Sequence, residues 1–591
     1  MAEYKKILRV DLSNNTLEEE DIPPNVEERY LGGKGLVAYY MYKEVKPKTD
    51  PYSPENKMFI FNGPLAFVYP TFTKISIGAK SPQTGTFCDS YAGGSFAVEL
   101  KRAGYTGIIV EGRSDKMVCL KITRDEKRLI ECENLRGKTT YEVGDYFTGY
   151  SVLTIGPAGE NLVRFAGIFI DMRSRPLNRP GVAGRGGLGA VMGSKNLKAI
   201  IVRGWMGLED LGLKIDLEKR FQLINRYMEI LKKEVVPAIG LGSNLPVFKL
   251  SAEAKILPVK NFRLGVHDKW EELTEDGWRK IFVGRHTCPT CPVACGVKLK
   301  EAGRETAKIE YETVAMTGSN VLVVDRPHVI ELDEVLNALG LDTISAGNVA
   351  AFATELVERG ILDYPLKWGD VEGYKRFYHD IAYRKGVGDI FAEGVARAAD
   401  HFNAHEYAVH IKGLEIPAYD PRGVVGMALA YATADRGGDH LRAWTVVTEI
   451  SMRPSLEDLV KLVIHLQNRN AALWTLVACD NIVGGFADPE AGTKFYVEML
   501  NTLGYDYDYE RFIRLGERIY NLTRLINNLD GIYRDKDVLP PRFHEKREDT
   551  GWRIAPEDFK KMLDLYYRYR GWDERGAPTE RLLKDLGILS S

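Results

Sequence analysis

The 591-residue sequence lacks any hydrophobic run long enough to cross a bilayer, and it lacks an excess of either charge. It begins MAEYKKILRVDLSNN, which has no apolar core of signal-peptide length. No later segment approaches the roughly 20 apolar residues of a membrane helix. The 80 Lys and Arg residues nearly balance 82 Asp and Glu residues, so the net charge is -2. We therefore expect a cytoplasmic protein without a nucleic-acid or anionic-membrane partner.

Cysteine and glutamine are both scarce. Seven cysteines in a chain of this length do not make a disulfide scaffold, and cytoplasmic thiols are normally reduced. Metal ligands and a few spare buried thiols are expected instead. Glutamine occurs only at Gln83, Gln222 and Gln467, whereas charged residues make up 27% of the chain. Few thermolabile amides beside many charges are typical of a thermophile.

Short apolar and β-branched runs between turn residues predict strands in the first third of the chain. After about residue 210, apolar residues recur at three- and four-residue spacing, which predicts amphipathic helices. The fold class predicted is α+β, with a β-rich domain at 1–210 and mainly helical domains at 211–412 and 413–591. The strand runs begin at Lys57, Lys74, Gly107, Val118, Ser151, Phe165 and Ala199.

The segment HTCPTCPVACG carries Cys288, Cys291 and Cys295 in a C-x2-C-x3-C pattern. Three thiolates this close in sequence can hold one side of a metal site, and a fourth ligand is then required. Cys479 is the best distant candidate. The spacing favours an iron–sulfur cluster, with a structural zinc as the alternative. Zinc sites usually pair two C-x2-C knuckles, and a second knuckle is missing here.

Two glycine-rich segments could bind phosphate groups. One contains Gly93 and Gly94, and the other runs from Gly181 through Gly184 and Arg185; each precedes a helix-compatible segment. Backbone N–H groups at a helix start attract anions, and an arginine adds a charge-assisted hydrogen bond. Neither segment matches a nucleotide-binding fingerprint, and close backbone packing explains such glycines equally well.

Several polar residues could take part in proton transfer. Glu312, beside Tyr311, precedes an apolar run, and a carboxylate in a partly dry site has a raised pKa. His440 follows a glycine pair, and histidine titrates near neutral pH. Tyr419 lies between two prolines. An exposed glutamate and a structural histidine are the alternatives.

The turn NALGLDTISAG joins two helical patterns. Gly340 suits a helix C-terminus and Asp342 suits a helix N-cap. A plain capped helix pair accounts for both residues. A functional role would add the Asp342 carboxylate as an acceptor for ligand N–H groups.

Taken together, the chain resembles the aldehyde ferredoxin oxidoreductase family along essentially its whole length. Many blocks in the same order carry the resemblance, so it is more specific than any single motif. The blocks are RYLGGKGL, ENKMFIFNGPL, SPQTGTF, ELKRAGYTGIIVEG, GRGGLGAVMGSKNLKA, CPTCPVAC, IEYET, GLDTIS and RGGDHLRA.

The resemblance implies a tungsten ion held by two pterins, a Mg²⁺ that bridges the pterin phosphates, and a nearby 4Fe–4S cluster. The β-rich domain would form a base under the cofactor, and the helical domains would close over it. The implied cluster ligands are Cys288, Cys291, Cys295 and Cys479. The implied magnesium ligands are the main-chain oxygens of Tyr91 and Ala183. The implied pterin contacts are Lys74, Gly93, Ala183, Gly184, Arg185, Leu341, Asp342, Thr343 and Arg442.

The resemblance also implies an acid–base pair. Glu312 would activate water or accept a proton, and His440 would hold or polarise an aldehyde oxygen. Tyr311 and Tyr419 match tyrosines of some members. Electrons would leave through the cluster to ferredoxin or to a dedicated iron–sulfur subunit, and the family includes homodimers.

Two positions depart from the family's repeated pterin motif, D-x-x-G-L followed by Asp or Cys. Asn337 and Trp474 stand where the leading acid is expected, which weakens any transfer of substrate. Two alternatives to aldehyde oxidation stay open: a member that reduces an acid or an aromatic thioester, and a zinc- or cluster-bearing electron-transfer scaffold subunit. The metal, tungsten or molybdenum, also stays open.

Overall fold

Two six-stranded sheets form the N-terminal part of the computed structural model, which describes residues 5–174, 180–242, 244–301, 304–306 and 309–590. Each sheet has one parallel pair, and its other pairs are antiparallel. In spatial order, the first sheet contains Thr16–Asp21, Lys6–Asp11, Tyr105–Glu111, Met58–Phe61, Ile75–Lys80 and Phe87–Ala92. The second contains Gly181–Ala183, Ile168–Ile170, Ser151–Thr154, Leu197–Val202, Val118–Ile122 and Lys127–Glu131.

The two sheets pack face to face, and the first sheet is buried on both sides. Met58 and Ile60 belong to the apolar core between the sheets, whereas Phe59 and Phe61 belong to the core shared with the helices. Successive side chains of a strand point to opposite faces, so an uninterrupted apolar run is what a doubly covered strand requires. This burial explains why the strand Met58–Phe61 consists entirely of hydrophobic residues.

Helices make up most of the chain after residue 210, which confirms the α+β class. The first part of the chain contributes Pro24–Tyr30, Gly33–Glu44, Phe96–Arg102, Thr140–Tyr146, Pro157–Glu160 and Leu188–Ser194. The middle contributes Leu217–Ile230, Val236–Ile239, Pro246–Glu253, Glu275–Arg279, Tyr311–Thr317, Arg326–Leu339, Thr343–Glu358, Val371–Ala382, Val387–Phe391 and Gly394–Phe402. The last part contributes Val425–Thr433, Val446–Met452, Leu456–Leu473, Asp480–Val483, Pro489–Asn501, Tyr509–Leu529, Pro556–Arg570 and Glu580–Asp585.

Two small sheets lie outside the N-terminal layers. Phe282–His286, Gly296–Glu301 and Arg304–Thr306 form one of them, and the cysteine loop connects its first two strands. His410–Ile411 and Leu414–Glu415 form the other. None of the helices within the described ranges combines the length and hydrophobicity needed to cross a bilayer. The domain boundaries after residues 210 and 412 stay predictions.

The expectation that every cysteine is a ligand or a spare thiol is wrong for two of them. Cys119 and Cys132 form a disulfide with a Cα–Cα distance of 6.1 Å. Cys119 lies on the strand Val118–Ile122, and the neighbouring strand ends at Glu131, so the sheet register brings Cys132 alongside. A separation of 13 residues gave no sequence signal for this pairing.

Candidate active site

A cavity of about 240 Å³ lies where the N-terminal sheets meet the helical part of the chain. Sixteen of the eighteen predicted site residues line it. They come from distant parts of the sequence, so only the tertiary fold brings them together. The lining residues belong to segments 71–74, 90–93, 180–185, 288–295, 310–313, 337–344, 436–441 and 479–482, with Asn244 and Tyr419.

The two glycine-rich segments lie against each other and against the cavity. A Cβ atom on Gly181 would collide with the carbonyl of Gly93, and a Cβ on Gly93 would lie 3.3 Å from Cys288 Sγ. A Cβ on Gly184 would lie 3.0 Å from Asp342 Oδ1. Glycine is therefore needed for close backbone approach here, and the same absence of side chains leaves backbone N–H groups open to a ligand.

The turn before the helix Thr343–Glu358 brings three predicted residues to the wall. Gly340 has a φ of +84°, and the Asp342 carboxylate caps the helix by accepting from the Ile344 and Ser345 N–H groups at 3.3 and 3.0 Å. This confirms the predicted stop and cap. Leu341 and Thr343 flank Asp342 and line the same wall. The Asp342 carboxylate also lies 3.6 Å from the Arg185 guanidinium, so it combines a structural contact with one at the cavity.

Glu312 and His440 lie next to each other at the cavity. His440 Nε2 lies 3.6 Å from Glu312 Oε1, and Glu312 Oε2 accepts a hydrogen bond from the Ala418 N–H at 3.0 Å. Burial raises the pKa of Glu312 to about 8, because the carboxylate form loses hydration. Burial lowers the pKa of His440 to about 4. At neutral pH the pair therefore consists of a carboxylic acid and a neutral imidazole.

Two tyrosines back this pair. Tyr311 donates to the Ala418 carbonyl at 2.6 Å and contacts Ser251 at 2.9 Å. Its ring lies 5.2 Å from that of Tyr419, which in turn lies 5.6 Å from the His440 ring. Burial raises the pKa of both tyrosines well above the ordinary value, so both stay protonated. Their neighbouring rings form a largely apolar wall beside the acid–base pair.

Four cysteines also line the cavity: Cys288, Cys291, Cys295 and Cys479. Within the described ranges, no three His, Cys, Asp or Glu side chains form a group able to hold a single metal ion. A zinc ion and an iron–sulfur cluster can both take four cysteine ligands, and the C-x2-C-x3-C spacing favours the cluster.

An amide lies beside one of these thiols. Asn481 Nδ2 donates to Cys295 Sγ at 3.5 Å, and the Asn481 carbonyl accepts from Asn244 Nδ2 at 3.0 Å. Asn481 lies in the short helix that follows Cys479, so the chain places the donor and the fourth thiol together. Sequence analysis missed both asparagines, although proximity to Cys479 was a signal for Asn481.

Lys74 and Trp474 both contact the Asp480 carboxylate, which was not predicted from the sequence as a site residue. Lys74 pairs with Asp480, which accepts from Trp474 Nε1 at 3.0 Å. The Trp474 ring also contacts Tyr91 at 4.9 Å between ring centroids and lies under the Arg442 guanidinium at 4.5 Å. Trp474 thus packs where the resemblance implied an acid, and Asp480 supplies a carboxylate nearby.

Several buried polar atoms at the cavity have no hydrogen-bond partner in the described part of the chain. They belong to four lining side chains: Arg185 Nε and Nη1, Glu312 Oε1, Asn337 Nδ2 and His440 Nδ1. Buried polar atoms of native proteins are nearly always satisfied. The cavity therefore fits a polar ligand with several acceptors and donors, as a pterin bearing phosphate is, and the cationic groups of Lys74 and Arg185 suit its charge.

Two predicted residues do not line the cavity. Ala183 lies on the strand Gly181–Ala183, between Val182 and Gly184, which do. Arg442 lies in a buried ion cluster, where it pairs with Asp89 and Asp435. Conversely, Arg436 lines the cavity although no motif singled it out, because its position depends on a contact with the distant Asp89 carbonyl at 2.5 Å.

Comparison with known families agrees with this geometry. The model for the N-terminal domain of aldehyde ferredoxin oxidoreductase matches residues 7–204, and the model for domains 2 and 3 matches residues 226–588. A tungsten-containing aldehyde ferredoxin oxidoreductase from Pyrococcus horikoshii is 37% identical, over 99% of this chain and 99% of the relative. The WOR-like subunit of an aliphatic sulfonate oxidoreductase from Pyrococcus furiosus is 30% identical, over 99% and 96%.

One solved structure is also similar. It is the active-site complex BamBC of benzoyl-coenzyme A reductase with 1,5-dienoyl-CoA, with a TM-score of 0.84, 25% identity and coverage of 99% of both chains. Both family models and the full-length relatives match the same chain that gathers four cysteines, two glycine segments and a carboxyl–imidazole pair around one cavity. The chain therefore belongs to the aldehyde ferredoxin oxidoreductase family, whose members are oxidoreductases.

Proposed function

We propose that this protein oxidises aldehydes to carboxylic acids with a tungsten-pterin cofactor and passes the electrons through a 4Fe–4S cluster to ferredoxin or to an iron–sulfur partner. The observation that carries the proposal is one cavity lined by both a proton-transfer pair and four cysteines. Groups able to transfer protons and groups able to hold an electron relay would then contact one bound cofactor. A cytoplasmic location stays a prediction.

The chain offers a matching donor for each part of the cofactor. Gly93, Gly184, Arg185 and Lys74 would contact the pterins and their phosphates, with Leu341, Asp342, Thr343 and the nearby Arg442 on the helical side. The main-chain oxygens of Tyr91 and Ala183 would hold Mg²⁺, which prefers oxygen ligands. The four cysteines would bind the cluster. When bound, the tungsten-pterin supplies a two-electron oxidation and the cluster a one-electron relay.

The reaction consumes one aldehyde and one water and yields one carboxylic acid, two protons and two electrons. We assign the aldehyde oxygen to His440, whose neutral ring has one N–H to donate. Glu312 takes a proton from the water as the oxygen of that water reaches the carbonyl carbon of the aldehyde. Since the carboxyl of Glu312 holds a proton below about pH 8, it must first lose that proton before it can act as a base.

Elemental analysis of natively purified protein tests the cofactor assignment. We expect about one tungsten and four irons per chain, since a 4Fe–4S cluster contains four irons, together with aldehyde-dependent dye reduction. Molybdenum in place of tungsten would change the metal but keep the chemistry. Zinc without tungsten or iron, and no pterin, would overturn the proposal and leave the scaffold function.

A second candidate is the reduction of an acid or an aromatic thioester. The similar fold of the benzoyl-coenzyme A reductase complex and the altered positions Asn337 and Trp474 favour it. The carboxyl–imidazole pair favours aldehyde oxidation. Parallel assays with a panel of aldehydes and with benzoyl-CoA plus a low-potential donor distinguish them, because only one substrate class should support turnover.

A further inference from the structure

Between Asp276 and Glu301, which flank it, the segment that carries the cysteine loop has only basic charged residues. Residues 277–300, which we call the cationic hairpin, contain two arginines and three lysines but no aspartate or glutamate. The whole chain is balanced, with 80 basic and 82 acidic residues. The five cations are Arg279, Lys280, Arg285, Lys298 and Lys300.

The fold presents this hairpin at the surface with the cysteines just behind it. Phe282–His286 and Gly296–Glu301 pair as antiparallel strands, and the cysteine loop connects them. Thr287, Pro289, Thr290 and Pro292 of that loop are exposed. Cys288 and Cys291 are half-buried. Only this loop therefore separates the proposed cluster from solvent at this face.

Most of the hairpin's charge is not neutralised within the molecule. Arg279 pairs with Glu275. Among the described residues, Lys280, Arg285, Lys298 and Lys300 pair with no carboxylate. Arg285 instead donates to the carbonyls of Gly240 and Ala294, at 2.6 and 3.2 Å, and so fixes the loop without losing its charge.

The hairpin also exposes an apolar side chain. Val283 is 56% exposed and lies on the same strand as Arg285. An exposed valine on the same strand as an unpaired cation fits a polar interface with a small apolar centre. A charged surface of one sign attracts a partner of the opposite sign and orients it during encounter.

We propose that the cationic hairpin is the docking surface for a small acidic iron–sulfur protein, the electron acceptor of this enzyme. This inference rests on the proposed function, because in that function a cluster bound by the four cysteines passes electrons to an acceptor. The carrier's carboxylates would meet Lys280, Lys298 and Lys300, and its own cluster would approach the loop at Pro289 and Pro292. Electron transfer needs only a transient complex, which a small, electrostatically steered interface provides.

A charge-reversal pair tests the surface. Lys280→Glu with Lys300→Glu alters two exposed residues, and Lys546→Glu with Lys560→Glu is the matched control at two exposed lysines outside the hairpin. The acceptors are a purified acidic 4Fe–4S ferredoxin and, in high salt, the small dye benzyl viologen. We expect the hairpin variant to lose about tenfold or more in kcat/KM for ferredoxin at low salt, with the difference shrinking as salt is added.

The dye separates this inference from the proposed function. Unchanged dye reduction in both variants shows an intact catalytic centre. If ferredoxin kinetics were then equally unchanged in the hairpin variant, the docking surface would be refuted. A preparation that reduces no dye with any aldehyde would instead contradict the proposed function.

Docking can also be measured without turnover. Zero-length carbodiimide cross-linking of the holoenzyme to the same ferredoxin joins lysine amines to carboxylates, and mass spectrometry locates the links. Links at Lys280, Lys298 or Lys300 support the proposal. Cross-links found only at other lysines would overturn the proposal. The absence of hairpin cross-links, together with a dedicated partner subunit that binds to another face, would also overturn it.

Discussion

Two polar regions lie side by side in the interior and differ in how their charges are satisfied. In the first, a buried ion cluster, three cations meet three carboxylates at short range. Lys34 Nζ lies 2.6 Å from Asp435 Oδ2, and Arg442 Nε lies 2.7 Å from Asp435 Oδ1. The members of this ion cluster are Lys34, Asp89, Asp435, Arg436, Asp439 and Arg442.

In the second region, the acid–base side of the cavity, the partners do not close on one another. Glu312 Oε1 and His440 Nδ1 have no hydrogen-bond partner in the described chain, and the two residues stay 3.6 Å apart. Neighbouring cations lower the pKa of Asp435 and Asp439 in the ion cluster, whereas burial raises that of Glu312. We infer that the balanced ion pairs stabilise the fold, whereas the polar groups without a hydrogen-bond partner are available to a ligand.

The largest effect expected is on activity, at the unsatisfied side. Glu312→Gln keeps the shape and the neutral state that the carboxyl has below about pH 8, but it cannot accept a proton. We expect kcat for aldehydes to fall by about 10²- to 10⁴-fold with little change in stability. Steady-state kinetics beside tungsten and iron analysis measure this, with His440→Asn as a companion. Near-wild-type turnover in both variants would remove the pair from the mechanism.

A change on the paired side should act on stability instead. Lys34→Met leaves Asp89 and Asp435 short of a buried cation, and breaking a buried pair this way costs about 3–5 kcal/mol. Guanidinium denaturation measures the loss. Lys494→Ala is the control, since its solvent-exposed pair with Glu490 should contribute little to stability. Equal stability in both variants would show that the ion cluster does not hold the fold.

The same contrast explains what could be predicted from the sequence. Local patterns were sufficient for the strand Met58–Phe61 and for the helix Thr343–Glu358 with its Asp342 cap, because propensity, periodicity and capping act over a few residues. The family resemblance located Glu312 and His440, but their separation and opposite pKa shifts depend on burial. Whether these residues bind substrate and cofactor stays a prediction.

Contacts between distant segments could not be predicted. The position of Arg436 at the cavity depends on its hydrogen bond to the Asp89 carbonyl. Asp480 contacts both Lys74 and Trp474. The Cys119–Cys132 disulfide depends on strand register, which no cysteine spacing indicates. Each of these features combines residues whose individual surroundings in the sequence are ordinary.

A third, smaller effect is the pH dependence of the unsatisfied side. If Glu312 acts as a base, kcat/KM for aldehydes should rise about tenfold per pH unit and level off near pH 8, where its carboxyl ionises. The neutral form of His440 persists down to about pH 4 and should not limit this range. In Glu312→Gln, kcat/KM should no longer rise with pH over this range. A wild-type kcat/KM that does not change with pH would show that another group is the base.

Protein stability should show the opposite trend. The pKa of Glu312 in the folded state is about 8, above its ordinary value of 4.5, so between these values the folded state holds a proton that the unfolded state has lost. This contribution is present below about pH 4.5 and is lost as pH rises through about 8. Denaturation of the wild type and of Glu312→Gln across this range measures the difference, which should be absent in the variant.

The smallest effect tests whether the cysteine wall belongs with the functional side. The Asn481 N–H group, 3.5 Å from Cys295 Sγ, would stabilise the more negative, reduced cluster, and hydrogen bonds to sulfur raise cluster potentials. Asn481→Leu should therefore lower the potential by about 20–60 mV, the equivalent of a weak hydrogen bond of about 0.5–1.5 kcal/mol. A redox titration followed by electron paramagnetic resonance measures it. Asn244→Ala removes only the hydrogen bond that orients Asn481, so it should shift the cluster potential less. Equal potentials in the wild type and both variants would show that this amide pair is purely structural.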